Sequence, residues 1–262
     1  MSTETAFRRL HHASSPLLLP NVWDYAGAAA LAEQGFPAVG TTSLGVAAAC
    51  GKPDAAGAIR GETLALARSV SRLPCLLTVD IEGGFGGGPK EVAELAAELA
   101  AMGVAGINLE DGRSDGSLAP PEYQCELIAA IKARTPLLFV NARTDTYWSA
   151  QDHPSRMEET LRRAQAYVVA GADGVFVPGL SRAADIAEVA RSVTAPLNVL
   201  LQSGGLGLAE LGDLGVARVS TGSLLYRAAL HAAVTTAVAA RDGGRAPEGL
   251  PSYADVERLL PS

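Results

Sequence analysis

Leu76-Leu77-Thr78-Val79-Asp80-Ile81-Glu82 is the stretch whose reading decides the fold. An apolar, β-forming run without polar alternation is a strand covered on both faces, as in a parallel sheet between helices. Charge enters only where the run ends, at Asp80 and Glu82. Three further runs share the pattern: Leu18-Leu19-Pro20-Asn21-Val22-Trp23-Asp24, Gly106-Ile107-Asn108-Leu109-Glu110-Asp111 and Leu137-Leu138-Phe139-Val140-Asn141-Ala142-Arg143. Charge gathered at the C-terminal ends of parallel strands is where an α/β barrel keeps its chemistry.

Outward from these runs, strands alternate with Ala-rich amphipathic segments along the whole chain. Strands are expected over 17–23, 38–43, 75–81, 106–109, 137–142, 174–177, 196–201 and 218–220. Helices are expected over 26–34, 61–72, 90–102, 121–134, 155–170, 183–193 and 208–214. Glycines such as Gly35, Gly103 and Gly171 close helices in the manner of a C′ residue. Strands alternating with helices of 10–15 residues give right-handed βαβ units. About eight strands favour a closed (β/α)8 TIM barrel over a doubly wound open sheet. The expected organisation is one domain over 1–262, with a barrel core over about 17–241 that ends in a long helix, 224–241. A linker and a short helix (253–260) follow. A helix beyond a flexible linker suits packing on a neighbouring subunit, so a homo-oligomer is expected.

The chain has 262 residues, 48% hydrophobic and 19% charged, which favours a substantial core. A formal charge of −7 argues against nucleic-acid or anionic-membrane partners. An anionic substrate would then need local positive charge. Cys50, Cys75 and Cys125 show neither disulfide nor zinc spacing and read as buried thiols. No apolar run approaches a membrane span, and the N-terminal segment lacks a signal-peptide core, so a soluble cytoplasmic protein is expected.

If the strand persists through Glu82, Asp80 and Glu82 point to one face, and Glu110, ending the next strand, reaches the same mouth. Hard oxygens grouped this way suit Mg²⁺, with Mn²⁺ a related choice; ordinary capping and loop acids are the alternative. Arg143 suits bidentate pairing with a carboxylate or phosphate, or a structural ion pair with the acids beside it. Gly40-Thr41-Thr42-Ser43-Leu44-Gly45 could hold an oxyanion in a backbone nest or be a simple turn. Gln202-Ser203-Gly204-Gly205 and Ser220-Thr221-Gly222-Ser223 follow the last two strands, where barrels commonly bind phosphate. The four histidines, His11, His12, His153 and His231, fall away from strand ends and read as surface residues.

These motifs, with Asp80-Ile81-Glu82-Gly83-Gly84-Phe85-Gly86, Asn141-Ala142-Arg143-Thr144-Asp145 and Ala170-Gly171-Ala172-Asp173-Gly174-Val175, resemble the isocitrate lyase/phosphoenolpyruvate mutase family. The similarity runs from about Leu18 to Tyr226. It implies an α/β barrel with Mg²⁺ at its C-terminal mouth, 2-oxo acid or enolate ligands, and dimers or tetramers that swap the eighth helix. By the same resemblance, Asp80 and Glu82 are metal-site acids and Glu110 a water-linked ligand. Arg143 is the substrate clamp, Ser43 and Leu44 are the oxyanion-binding backbone, and Asp54 is a loop aspartate beside the substrate. Arg143, Asp54 and Glu110 are thus the candidate catalytic residues. Trp23, Thr42, Ser43, Leu44 and Asn141, with Arg143, are the candidate substrate-binding set.

The chain departs from the family after Glu110. Its lyases carry a cysteine-bearing Lys-Lys/Arg-Cys-Gly-His loop there, and its mutases a gating loop with lysine and asparagine. Gly112-Arg113-Ser114-Asp115-Gly116-Ser117-Leu118-Ala119-Pro120 has none of these. The expected activity is Mg²⁺-dependent cleavage of a C–C bond next to a 2-oxo or 2-hydroxy carboxylate, as in an oxaloacetate decarboxylase or methylmalate lyase. The proton would come from Arg113, Asp115, Tyr147 or solvent. The alternatives are phosphoenolpyruvate/phosphonopyruvate mutase or hydrolase chemistry, and a non-catalytic 2-oxo acid-binding barrel.

Overall fold

The computed structural model describes residues 3–148 and 155–260. In chain order the elements are α1 (Thr3–Leu10), β1 (Leu17–Leu19), β2 (Asn21–Val22), α2 (Tyr25–Glu33), β3 (Ala38–Thr41), α3 (Ser43–Ala49), α4 (Arg60–Val70), β4 (Leu76–Asp80), α5 (Pro89–Ala101), β5 (Gly106–Glu110), α6 (Pro121–Arg134) and β6 (Phe139–Arg143). A 3₁₀ turn (Asp145–Tyr147) precedes α7 (Arg156–Val169), β7 (Gly174–Phe176), α8 (Ala183–Ser192), β8 (Leu197–Leu200), α9 (Leu208–Asp213), β9 (Val216–Ser220), α10 (Leu224–Arg241) and α11 (Tyr253–Leu259).

All strand pairs are parallel, in the order β1-β9-β8-β7-β6-β5-β4-β3-β2. Because β1 and β2 are consecutive, the ring closes through them, and the expected TIM barrel is formed. The single expected first strand is split by Pro20, which has no N–H to give a ladder. Its carbonyl still accepts from Gly40 N–H (2.9 Å). Leu19 O accepts from Thr221 N–H (3.1 Å), so the two halves serve opposite neighbours.

Helix α1, which the sequence does not announce, lies at the N-terminal end of the barrel. Phe7 is fully buried and joins Leu17, Leu19, Ala38 and Phe139 in one apolar cluster. His11 is buried as well, stacked on Phe139 at 4.3 Å, so the expectation of a surface histidine fails. His153 lies outside the described residues. The cysteines also depart from expectation: Cys50 is exposed, Cys75 and Cys125 are half-buried, and all three are free thiols. Among the described residues no helix is long and apolar enough to cross a membrane.

None of the eighteen residues of α10 is buried. Leu230, Val234 and Val238 stand exposed at i, i+4 and i+8, one apolar stripe facing away from the chain's own barrel. The extra C-terminal helix, α11, touches α2.

Candidate active site

β4 ends at Asp80, two residues earlier than the alternation argument for Glu82 requires. Glu82 adopts a left-handed backbone (φ 50°) in the turn that follows, a strained conformation for a non-glycine residue. The turn, and not the pleat, therefore aims its carboxylate, and Gly57 N–H donates to Oε2 at 2.8 Å. Oε1 is buried without a partner. Gly84 (φ 85°) has no room for a side chain, since a Cβ would fall 2.4 Å from Val92 Cγ2.

Asp80 accepts from Glu82 N–H (3.1 Å), while its own N–H donates to Thr41 Oγ1 (2.8 Å). Burial raises the Asp80 pKa and the nearby charge of Asp54 adds to this; Arg143 and the backbone N–H groups of Glu82 and Ser43 oppose them. Burial, reinforced by Asp80 and Asp54, pushes Glu82 up to about 7. Glu110 lies well above the ordinary carboxylate range, driven by burial and its acidic neighbours against the pull of Arg143.

Arg143 ends β6 directly opposite Glu110 in the sheet register. Its Nη1 meets Glu110 Oε2 at 2.6 Å, and Nε and Nη2 hold Asp145 at 2.6 and 2.9 Å. The structural ion pair is thus made, and one N–H on each terminal nitrogen is left over. Behind it, buried Asp111 accepts from Asp145 N–H (2.9 Å), Tyr167 OH (2.6 Å) and Arg163 Nη1 (3.0 Å). Asp111 therefore anchors the turn that carries Asp145.

The mouth opens into a cavity of about 90 Å³ to which Thr42, Ser43, Leu44, Asp54, Asp80 and Arg143 contribute. A larger cavity of about 450 Å³ adjoins it, with Glu82, Glu110, Arg113 and Asp115 in its wall. Of the three candidate metal acids, Asp80 lines the smaller cavity and Glu82 and Glu110 line the larger. Among the described residues no three Asp, Glu, His or Cys side chains close on one point as a ready ligand cage. Trp23 packs behind the site, edge-on to Tyr226 at 5.1 Å and against the cluster of Val46, Ala47 and Ile59. Asn141 is buried below the mouth, donating from Nδ2 to Asn108 Oδ1 at 2.9 Å.

Sequence reasoning assigned no role to Asn21 or Asn108, which line the mouth, or to Trp148, Phe176 and Leu200 on its apolar side. The asparagines carried a signal: polar amides closing apolar runs.

Residues 7–241 match the family model described as phosphoenolpyruvate phosphomutase. The chain is 45% identical to the Mycobacterium tuberculosis (strain ATCC 25618 / H37Rv) protein Rv1998c, covering 97% of this chain and 96% of that one. It is 32% identical to the 2-methylisocitrate lyase of Bacillus subtilis (strain 168), over 73% of this chain and 64% of that enzyme. A phosphonopyruvate hydrolase solved with oxalate and Mg²⁺ superposes with a TM-score of 0.86 at 24% identity, covering 99% of this chain and 95% of that one. Barrel, motif order and family match agree: the chain belongs to the isocitrate lyase/phosphoenolpyruvate mutase family of lyases and mutases.

Proposed function

We propose that this protein is a Mg²⁺-dependent lyase that breaks a C–C bond adjacent to the 2-oxo or 2-hydroxy group of a small carboxylic acid and leaves an enolate. The observation that carries the reading is a surplus of buried negative charge beside an arginine. Asp80, Glu82, Glu110 and Asp145 are buried around Arg143, burial raises the pKa of all four, and the exposed Asp54 adds its charge to Asp80 and Glu82. With Glu82 Oε1 unpartnered, this donor set fits a hard cation that keeps several of its own waters and needs few direct carboxylates. Asp80, Glu82 and Glu110 would hold it, and Mn²⁺ would fit the same oxygens. Bound there, the cation supplies positive charge for the enolate oxygen that develops on cleavage.

The chain's own groups do the rest. Arg143 offers its remaining N–H donors to the substrate carboxylate, pre-oriented by Asp145 and Glu110. In this reading the backbone N–H groups of Ser43 and Leu44, at the start of α3, receive the developing oxyanion, that of Ser43 turning from Asp80, on which it now acts. Asp54 stands at the rim. Arg113 and Asp115 line the adjoining cavity, and the Tyr147 hydroxyl is turned to Asp185 at 3.5 Å. Solvent entering by the adjoining cavity is therefore the proton source in this reading. The apolar stripe on α10 supports a homodimer or homotetramer in which that helix packs on a partner's barrel.

Purified protein assayed against oxaloacetate and 2-methylmalate-type acids, with Mg²⁺ and with EDTA, tests the reaction. Turnover that survives EDTA overturns it, and a phosphorus NMR signal from converted phosphonopyruvate would favour the family's phosphorus chemistry. Arg143→Ala should weaken carboxylate binding by about 1.5–3 kcal/mol, read by calorimetry. Unchanged affinity removes Arg143 from the site.

A further inference from the structure

The chain contains four asparagines, Asn21, Asn108, Asn141 and Asn198, and all four are buried in strands of the barrel. Glycines on neighbouring strands make room for their amides. A Cβ at Gly40 would lie 2.8 Å from Asn21 Nδ2, and one at Gly174 would lie 2.9 Å from Asn141 Oδ1. Three of the four amides join a network around Arg218, a fully buried arginine in the middle of β9 that has no part in the chemistry above.

Arg218 Nε donates to Ser220 Oγ at 3.2 Å, and Nη2 donates to Asn108 Oδ1 at 3.3 Å. The Ser220 hydroxyl in turn donates to Asn198 Oδ1 at 2.8 Å. Asn141 Nδ2 donates to the same Asn108 oxygen. Arg218 Nη1 has no partner among the described residues. A buried guanidinium that forms no ion pair among the described residues is costly; the nearby charge of Asp80 offsets part of that cost, and its hydrogen bonds define what it does.

An asparagine amide has one acceptor oxygen and one donor nitrogen, and the network around it fixes which way it points. Two donors converge on Asn108 Oδ1, so Nδ2 is the arm left for the cavity that Asn108 lines. Ser220, which also lines that cavity, is held by the same guanidinium.

We propose that Arg218 is a positioning residue that locks Asn108 with its NH₂ toward the mouth. The cavity floor is then a hydrogen-bond donor surface that selects ligands presenting an anionic oxygen, the carboxylate or enolate oxygen of a 2-oxo acid. The ligand half of this inference rests on the reaction proposed above; the positioning half does not.

Labelling with ¹⁵N-asparagine gives only four side-chain amide pairs, one per residue, in an NMR spectrum of the full chain. Arg218→Met should move the Asn108 pair strongly toward the position of a free amide. The Asn21 pair should stay in place, because Asn21 bonds Thr41 O, Thr221 and Gly222 instead. Arg218→Lys keeps the charge but cannot fork to Ser220 and Asn108, and it gives the same displacement should the Met variant fail to fold. Calorimetry with oxalate and Mg²⁺ should show affinity falling at least ~10-fold in Arg218→Met. Asn108→Ala added to that variant should cost little more, since both act through one amide. An Asn108 pair unmoved in the variants, or fully additive losses, overturns the positioning role. A displaced Asn108 pair in a protein whose wild type does not bind oxalate with Mg²⁺ upholds the positioning and overturns the 2-oxo acid ligand class.

Discussion

At the N-terminal end of the barrel, Asp173 accepts from Arg8 Nη1 (2.7 Å), Lys132 Nζ (2.9 Å) and Val140 N–H (2.9 Å). At the C-terminal end, Glu82 accepts one backbone hydrogen bond and keeps its second oxygen buried and bare. Both are carboxylates in βα-barrel loops, and both are largely shielded from water. The first has its partners built into the fold, and the second is short of positive charge. A polar group whose bonds are complete contributes to stability; one left short is an acceptor for something the chain does not itself supply.

The sharpest way to break this contrast is Asp80→Asn. It should lower turnover by about 10³-fold or more, because charge aimed at the reacting centre is lost. Its melting temperature should hold or rise, because repulsion among Asp80, Glu82 and Glu110 is relieved. A marked fall in melting temperature would show that Asp80 serves the fold, and the two ends would then be alike. Phe7→Ala, at the other end, should cost about 3–5 kcal/mol in denaturant titration by opening a cavity among Leu17, Leu19 and Phe139. Metal-dependent ligand affinity should stay within about two-fold, since the change is far from the mouth.

The smallest effect is a pH dependence. Burial, with the nearby positive charge of Arg218, lowers the His11 pKa to about 3. The folded protein therefore keeps His11 neutral while the unfolded chain takes up a proton below about 6.5. Stability is full above that pH and falls by at most about 1.4 kcal/mol per pH unit as pH drops toward 3. His11→Phe should flatten this part of the acid limb in urea titrations between pH 6.5 and 5. An unchanged slope would place the titration elsewhere.

Much of the fold was legible because parallel strands buried on both faces must be apolar throughout. The runs ending at Asp80, Glu110 and Arg143 became β4, β5 and β6, and helices α6 and α10 have the expected limits. Helix α1 was not legible. Its Thr-Glu-Thr-Ala-Phe-Arg-Arg-Leu sequence is short and mostly polar, and only the barrel end gives Phe7 an apolar site. Helix α3 was hidden for a related reason: Ser43-Leu44-Gly45-Val46 reads as a turn until Trp23 and Ile59 pack against it. The mouth was half legible, since acids and an arginine at strand ends are visible in the sequence, whereas their pairing is not.

The sequence by itself determined the barrel, the end of it that carries charge and the family, because burial on both faces and the order of motifs are linear properties. Only the tertiary structure decided that Arg143 is already bonded to Glu110 and Asp145, that Glu82 is aimed by a strained turn, and that Arg218 lies beneath the site. Those are distances between residues far apart in the chain. They are set by the sheet register and by which donors are left over once the interior has packed.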